Sequence, residues 1–149
     1  MSIIIRDAVR EDVPIMFELI KELALYEKAP EQVTNTVEQM YVDGFGDNPI
    51  FGTIVSEVEG EIVGMALYYF RYSTWKGKRL YLEDLIVSET MRGRGLGEKL
   101  LESVIEKAHQ TACTGLMWQV LDWNEPAINF YKKFGAKFDE EWVNVNIDF

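Results

Sequence analysis

Three strand-like segments joined by turns too short for a crossover set the strongest limit on how this chain can fold. "IFGTIVSEV" ends at Glu59-Gly60, "EIVGMALYYFRY" runs into a polar turn around Lys76-Gly77-Lys78, and "RLYLEDLIV" follows. β-Branched and aromatic residues suit a pleated, half-buried surface, and a short turn joins only antiparallel neighbours, because a parallel pair needs about a dozen connecting residues or more. The middle of the chain therefore reads as an antiparallel meander.

The flanks add helices. Residues 2–8 read as a first strand, and "EDVPIMFELIKELALYEK" follows with acids in its first turn, an early Pro14, and Ile15, Leu19, Ile20 and Leu23 at helical spacing. Thr36 and Gln39 form a candidate capping box for a second helix stopping near Gly44 and Gly46. Beyond the meander, Leu96, Leu100, Leu101, Val104, Ile105 and Ala108 make a helical stripe; "LMWQVLDW" reads as a strand, "NEPAINFYKKFG" as a helix closed by Gly135, and the remainder as one or two strands. The order βααβββαβαβ, with room for a last extra strand, implies an α/β (mixed α+β) domain around one central sheet. With 149 residues, 48% of them hydrophobic, the expectation is a single domain spanning 1–149.

Composition removes several function classes. A formal charge of -10 opposes a phosphate backbone and favours cations, so no nucleic-acid partner is expected. Cys113 is the one cysteine and His109 the one histidine, which leaves no internal disulfide and no zinc cluster, and no metal is expected. The apolar run in "MSIIIRDA" is too short for a secretory signal, and no stretch approaches the roughly 20 apolar residues of a membrane span. The expectation is a soluble, cytoplasmic protein without a membrane partner.

Two features in "YLEDLIVSETMRGRGLGEKL" point to chemistry. The run Arg92-Gly93-Arg94-Gly95-Leu96-Gly97 lies between a predicted strand and a predicted helix, where free backbone N–H groups and the positive helix end can bind phosphate. A Walker A loop needs a different spacing and a hydroxyl after its lysine, and a dinucleotide fingerprint needs G-x-G-x-x-G, so both fit poorly. A plain glycine-rich turn stays open as the bland alternative. The second feature is the adjacent pair Glu83 and Asp84 in an apolar strand. Strand alternation would place Glu83, Leu85 and Val87 on one face and Asp84 and Ile86 on the other unless a bulge intervenes, and either acid alone could simply face solvent.

The spacing Arg92-x-x-Gly95-x-Gly97 resembles the acetyl-CoA loop of the GCN5-related N-acetyltransferase superfamily. "LIKELALYEKAPEQV", "DGFGDNP", "YLEDLIV" and "WNEPAINFYKKFGA" further resemble the diamine (spermidine/spermine) N-acetyltransferase family, which includes thialysine acetyltransferases, over nearly the whole chain. The resemblance implies a mostly antiparallel sheet of six to seven strands flanked by about four helices, and acetyl-CoA as cosubstrate. It implies CoA contacts from Leu85, Ile86, Val87, Arg92, Gly93, Arg94, Gly95, Leu96, Gly97, Glu98, Asn124, Ala127 and Tyr131.

Amine acetylation requires a neutral nucleophile. An alkylammonium with a pKa near 10.4 is only about a few parts in ten thousand neutral at pH 7, a cost of roughly 4 to 5 kcal/mol. A carboxylate can take that proton directly or through water, and a phenol, protonated at neutral pH, can donate to a departing thiolate. The resemblance assigns the base to Glu83 and the acid to Tyr131, and places Tyr26, Glu27, Trp75, Glu83 and Asp84 at the amine. On residues alone, Tyr26 and Glu27 fit an exposed helix end equally well, and Tyr131 fits a packing role. Ser73 stands where relatives often carry Asp, and Ala127 where a serine is common. The expected acceptor is a small polyamine, diamine or thialysine-like amine, with a homodimer as the implied assembly. A CoA-binding sensor without turnover, or an enzyme acting on a protein N-terminus, is the competing expectation.

Overall fold

A computed structural model of the chain describes residues 2–149, which divide into two compact units, one ending at Trp118 and the other spanning Gln119–Phe149. The first unit contains β1 (Ile3–Asp7), α1 (Val13–Tyr26), α2 (Val37–Phe45), β2 (Gly52–Val58), β3 (Glu61–Ser73), β4 (Gly77–Val87), α3 (Leu96–Gln110) and β5 (Leu116–Trp118); the second holds α4 (Glu125–Lys132). The five strands form one sheet in chain order, β1-β2-β3-β4-β5, antiparallel throughout except for the parallel β4–β5 pair.

The expected turns are present. Val58 pairs with Glu61, so the β2–β3 hairpin turns on Glu59 and Gly60 alone, and both carry positive φ, 50° and 82°, as a type I′ turn requires. Ser73 organises the β3–β4 turn, its Oγ accepting hydrogen bonds from the backbone N–H of Trp75 (3.2 Å) and Lys76 (3.0 Å). At α2 only half of the expected capping box forms. Thr36 Oγ1 accepts from the Gln39 N–H at 3.1 Å, while the Gln39 side chain instead reaches forward one turn and donates to Asp43 Oδ1 at 3.1 Å.

Helices cover both faces of the sheet. Val13, Met16 and Leu19 of α1 and Met40 of α2 pack with Val55, Met65, Leu67 and Ile86. The opposite face takes α3, whose Leu96, Leu100, Leu101, Val104 and Ala108 are buried. The approach is close at Gly64, where an added Cβ would lie 3.1 Å from Leu100 Cδ1 and 2.6 Å from Ser56 Oγ. Burying each large side chain of that stripe contributes about 1.5 to 3 kcal/mol, which fixes the start of α3 against the end of β4.

Two expectations about strands need correction. The six- to seven-stranded sheet is five-stranded among the described residues, because the tail past α4 forms no strand and Trp142, Val143, Val145 and Ile147 lie exposed. Apolar alternation creates a strand only where another backbone edge pairs with it. The strand expected over "LMWQVLDW" is likewise only Leu116–Trp118.

In β4 the bulge that the alternation left open is present. Leu67 pairs with Asp84 but Tyr68 pairs with Leu82, so Glu83 is an extra residue with no cross-strand partner, a β-bulge. Tyr69 pairs with Tyr81, and Leu67 shares Tyr69's face two residues away; Tyr81 and Asp84 therefore share that face too. Unbroken alternation would have put them on opposite sides.

Candidate active site

The bulge brings the carboxylates together. Glu83 is exposed, and its Oε1 accepts a 3.0 Å hydrogen bond from the Tyr69 hydroxyl, so its side chain reaches the face that Asp84 occupies. Asp84 is half-buried on the α1 side of the sheet. Its carboxyl is pushed up to about 7, first by burial, then by the negative charges of Glu83 and Glu27. Glu27, which caps the C-terminus of α1, is itself raised by burial. Three acids from two distant segments thus share one field.

The neighbouring aromatics frame it. Tyr69 and Tyr81 stack with centroids 5.2 Å apart and planes 29° from parallel. Both phenols are raised, chiefly by burial, and Glu83 adds to each. Tyr26 meets the glycine turn instead: the Arg92 guanidinium lies 5.2 Å from its ring centroid, while Arg92 Nε donates to the Val87 carbonyl at 3.1 Å. Arg92 therefore ties the end of β4 to the end of α1. Trp75 is 85% exposed in the β3–β4 turn, apart from the carboxylates.

The glycine turn has the form an anion needs. Gly93 and Gly95 adopt φ of 77° and 80°, and nothing lies within 4 Å of where their Cβ atoms would be. Backbone conformation, rather than crowding, demands glycine there. Gly95 is the N-cap of α3 and gives no side-chain cap, and the first helical bond is Lys99 N–H to Gly95 C=O. The N–H groups at Leu96, Gly97 and Glu98 consequently point out of the helix end, where the macrodipole favours negative charge.

Strand β4 supplies a second backbone surface. Its parallel pairing with β5 stops at Leu82↔Trp118, five residues before β4 ends at Val87. Past Leu82, no strand of the described residues pairs with that edge, and the backbone N–H groups of Leu85 and Val87 face it, while Ile86 between them pairs with Met65 of β3. An uncapped helix end and a free strand edge, joined by a glycine turn, fit a ligand with an anionic head and an amide-bearing arm.

The second unit contains the other predicted residues. Asn124 caps α4, its Oδ1 accepting from the Ala127 N–H at 3.4 Å, and Pro126 falls in the first turn. Tyr131 is buried and meets the Phe130 ring edge-on at 5.6 Å; Phe130 also packs on Phe134 at 5.3 Å. The residue that sequence reasoning missed is Tyr69. In "ALYYFRY" nothing distinguishes it from Tyr68 or Tyr72, since only the pairing register shows which tyrosine meets Glu83.

A free strand edge leading to a glycine-bordered helix N-terminus, with carboxylates at the strand's bulge, is the architecture of an acyl-CoA-dependent transferase. The chain belongs to the acetyltransferase (GNAT) family, whose model matches residues 14–136. It is an acetyl-CoA-dependent N-acetyltransferase. It is 43% identical to the thialysine N-epsilon-acetyltransferase of Mus musculus, over 97% of this chain and 91% of that protein, and 42% identical to that of Sus scrofa, over 91% and 85%. The spermidine/spermine N(1)-acetyltransferase-like protein 1 of Homo sapiens is 39% identical over 89% of this chain but only 20% of its own length. Among solved structures, an aminoglycoside acetyltransferase from an uncultured soil metagenomic sample superposes with a TM-score of 0.80 at 18% identity, covering 99% of this chain and 96% of its own, a likeness of fold.

Among the described residues there is no group of three His, Cys, Asp or Glu side chains placed to hold a metal ion, and no helix long and apolar enough to cross a membrane.

Proposed function

We propose that this chain acetylates a primary amine of a small polyamine, diamine or thialysine-like acceptor, by direct attack of the amine on the thioester in a ternary complex. The observation that carries this reading is the bulge at Glu83. It sets a solvent-reachable carboxylate beside a half-buried one, at the head of a strand that runs into the anion-binding turn.

In this reading Glu83 accepts a proton from the ammonium, directly or through water, and the freed nitrogen lone pair forms the bond to the acetyl carbon. An N–H near Val87 donates to the oxyanion that develops, and the bond to sulfur then breaks. Tyr131 gives the leaving thiolate its proton and regains one, through water, from the second proton that the acylated nitrogen sheds, so the products are the neutral amide and the thiol and no acyl-enzyme is formed. The N–H groups of residues 92–98 hold the pyrophosphate, the edge of Leu85 and Val87 holds the amide-bearing arm, and Asn124 and Ala127 add contacts from α4. Glu27 draws the acceptor's positive charge, Asp84 loses its proton as that charge arrives beside it, and Tyr26 provides an aromatic contact, while Trp75, exposed in the β3–β4 turn, stands apart from them.

The activities for which the relatives are named support a small cationic amine, as does the formal charge of -10. The family match crosses the boundary between the two units, which supports reading both as one acetyltransferase domain over 1–149. A homodimer and a cytoplasmic location belong to the same reading, on the resemblance to the family. The deciding experiment incubates the protein and acetyl-CoA with a panel of polyamines, diamines, thialysine and N-terminal peptides, with mass detection of product. Acetylation of the small diamines well above the peptides is expected. Tight acetyl-CoA binding without transfer to any amine would overturn the proposal.

A further inference from the structure

We propose that Tyr69 is a positioning residue for the catalytic carboxylate, orienting Glu83 so that one oxygen is held by the protein and the other faces the amine. The inference rests on the reading of Glu83 as the base.

Glu83 needs such a partner because of where it stands. As the extra residue of the bulge it has no cross-strand neighbour, and it is exposed, so nothing in the strand ladder fixes its side-chain torsions. A flexible glutamate would spend much of its time pointing away from the substrate, and a base that must lie within hydrogen-bond reach of one proton loses rate in proportion. Among the described residues, the Tyr69 hydroxyl, 3.0 Å from Oε1, is the one side-chain group that holds it.

Tyr69 is itself well supported. It sits on β3 directly opposite Tyr81, and the two rings stack, which fixes the phenol's direction. Its hydroxyl is held protonated, by burial first and by Glu83 second, so it acts as a donor throughout the neutral range. A permanent donor on Oε1 leaves Oε2 as the acceptor for the ammonium proton. The surrounding ionisable groups fit this division. Asp84 faces the same field and carries a proton up to about pH 7, and Glu27 adds negative charge from α1. Arg71, whose guanidinium lies 5.9 Å from the Tyr81 ring centroid, also donates to the Met117 sulfur. Among the described residues, no cation pairs with Glu83.

Tyr69→Phe keeps the ring, and hence the stacking, and removes only the hydroxyl. The expected result is a fall in kcat of about 10- to 100-fold, the scale of a lost hydrogen bond to a charged group. Acetyl-CoA affinity by calorimetry is expected to stay within about 2-fold of the wild type and the amine KM within about 3-fold, since orientation of the base acts on the chemical step. The same substitution is then made on Glu83→Ala, and rates are read at high pH, where more free amine is neutral. A positioning role predicts that Tyr69→Phe changes the Glu83→Ala rate by less than about 2-fold, because there is no carboxylate left to orient. A full loss in that background, or Tyr69→Phe turning over at the wild-type rate while Glu83→Ala is impaired, would overturn the assignment to Tyr69 and leave the base reading intact. Glu83→Ala retaining wild-type turnover would instead overturn the base reading itself, and the positioning role with it.

Discussion

Asp84 offers a test that reads the site without any substrate. Its ordinary value of 3.8 is raised to about 7 in the folded chain, by burial and then by the charges of Glu83 and Glu27. The folded state therefore holds a proton that the unfolded state has released, and it binds more protons throughout the window from about pH 4 to pH 7. Stability falls as pH rises through that window, and the contribution present below the unfolded value is lost once pH passes the folded one. A gap of about three pH units, at about 1.4 kcal/mol per unit, amounts to roughly 4 kcal/mol above pH 7 and roughly 2 kcal/mol at pH 5. Asparagine has the shape of the neutral acid and does not titrate. Asp84→Asn should thus gain on the wild type by about 2 to 3 kcal/mol between pH 5 and pH 8.5, with any fixed difference in hydrogen bonding cancelling between the two conditions. Urea unfolding of both proteins at the two pH values, with matched m-values, measures this directly. A stability difference that stays constant across the range, or shrinks as pH rises, would show that Asp84 is not held neutral by its surroundings, and the crowded-carboxylate account of the site would fail.

Other consequences can be checked by simpler means. Tyr131→Phe is expected to lower turnover by about 10² to 10⁴ with acetyl-CoA affinity largely kept, and near-wild-type rates would refute its acid role. Glu83→Gln is expected to lose activity on a similar scale but to recover part of it as pH rises, because the neutral fraction of the free amine grows about tenfold per unit; an unchanged pH-rate profile would count against the base. Gly95→Ala meets no atom but must hold φ at 80°, so a stability loss of about 1 to 2 kcal/mol is expected together with weaker acetyl-CoA binding, read by thermal unfolding and calorimetry.

Much of this protein was legible from local pattern. The meander, the two caps at Thr36 and Asn124, the Glu59-Gly60 turn and the helical stripe of α3 all depend on residues within a few positions of one another, and all form. Strand, glycine turn and helix in succession were enough to mark a candidate anion site, since a helix end offers its N–H groups whatever the rest of the chain does.

Register and burial are different in kind, because they are set by partners far along the chain. Alternation separated Glu83 from Asp84; only the pairing of β4 with β3 shows the extra residue that reunites them, and only that pairing selects Tyr69, fourteen residues away, as the donor to Glu83. The tail shows the converse. Val143, Val145 and Ile147 alternate like a strand and remain exposed, because period describes which side a residue would face, whereas a strand exists only when another backbone edge accepts its hydrogen bonds. The order of elements through α4 and the candidate anion-binding turn were thus properties of the sequence itself. The proton on Asp84 and the hold on Glu83 came from tertiary structure, since charge, desolvation and donor position depend on what packs nearby in space.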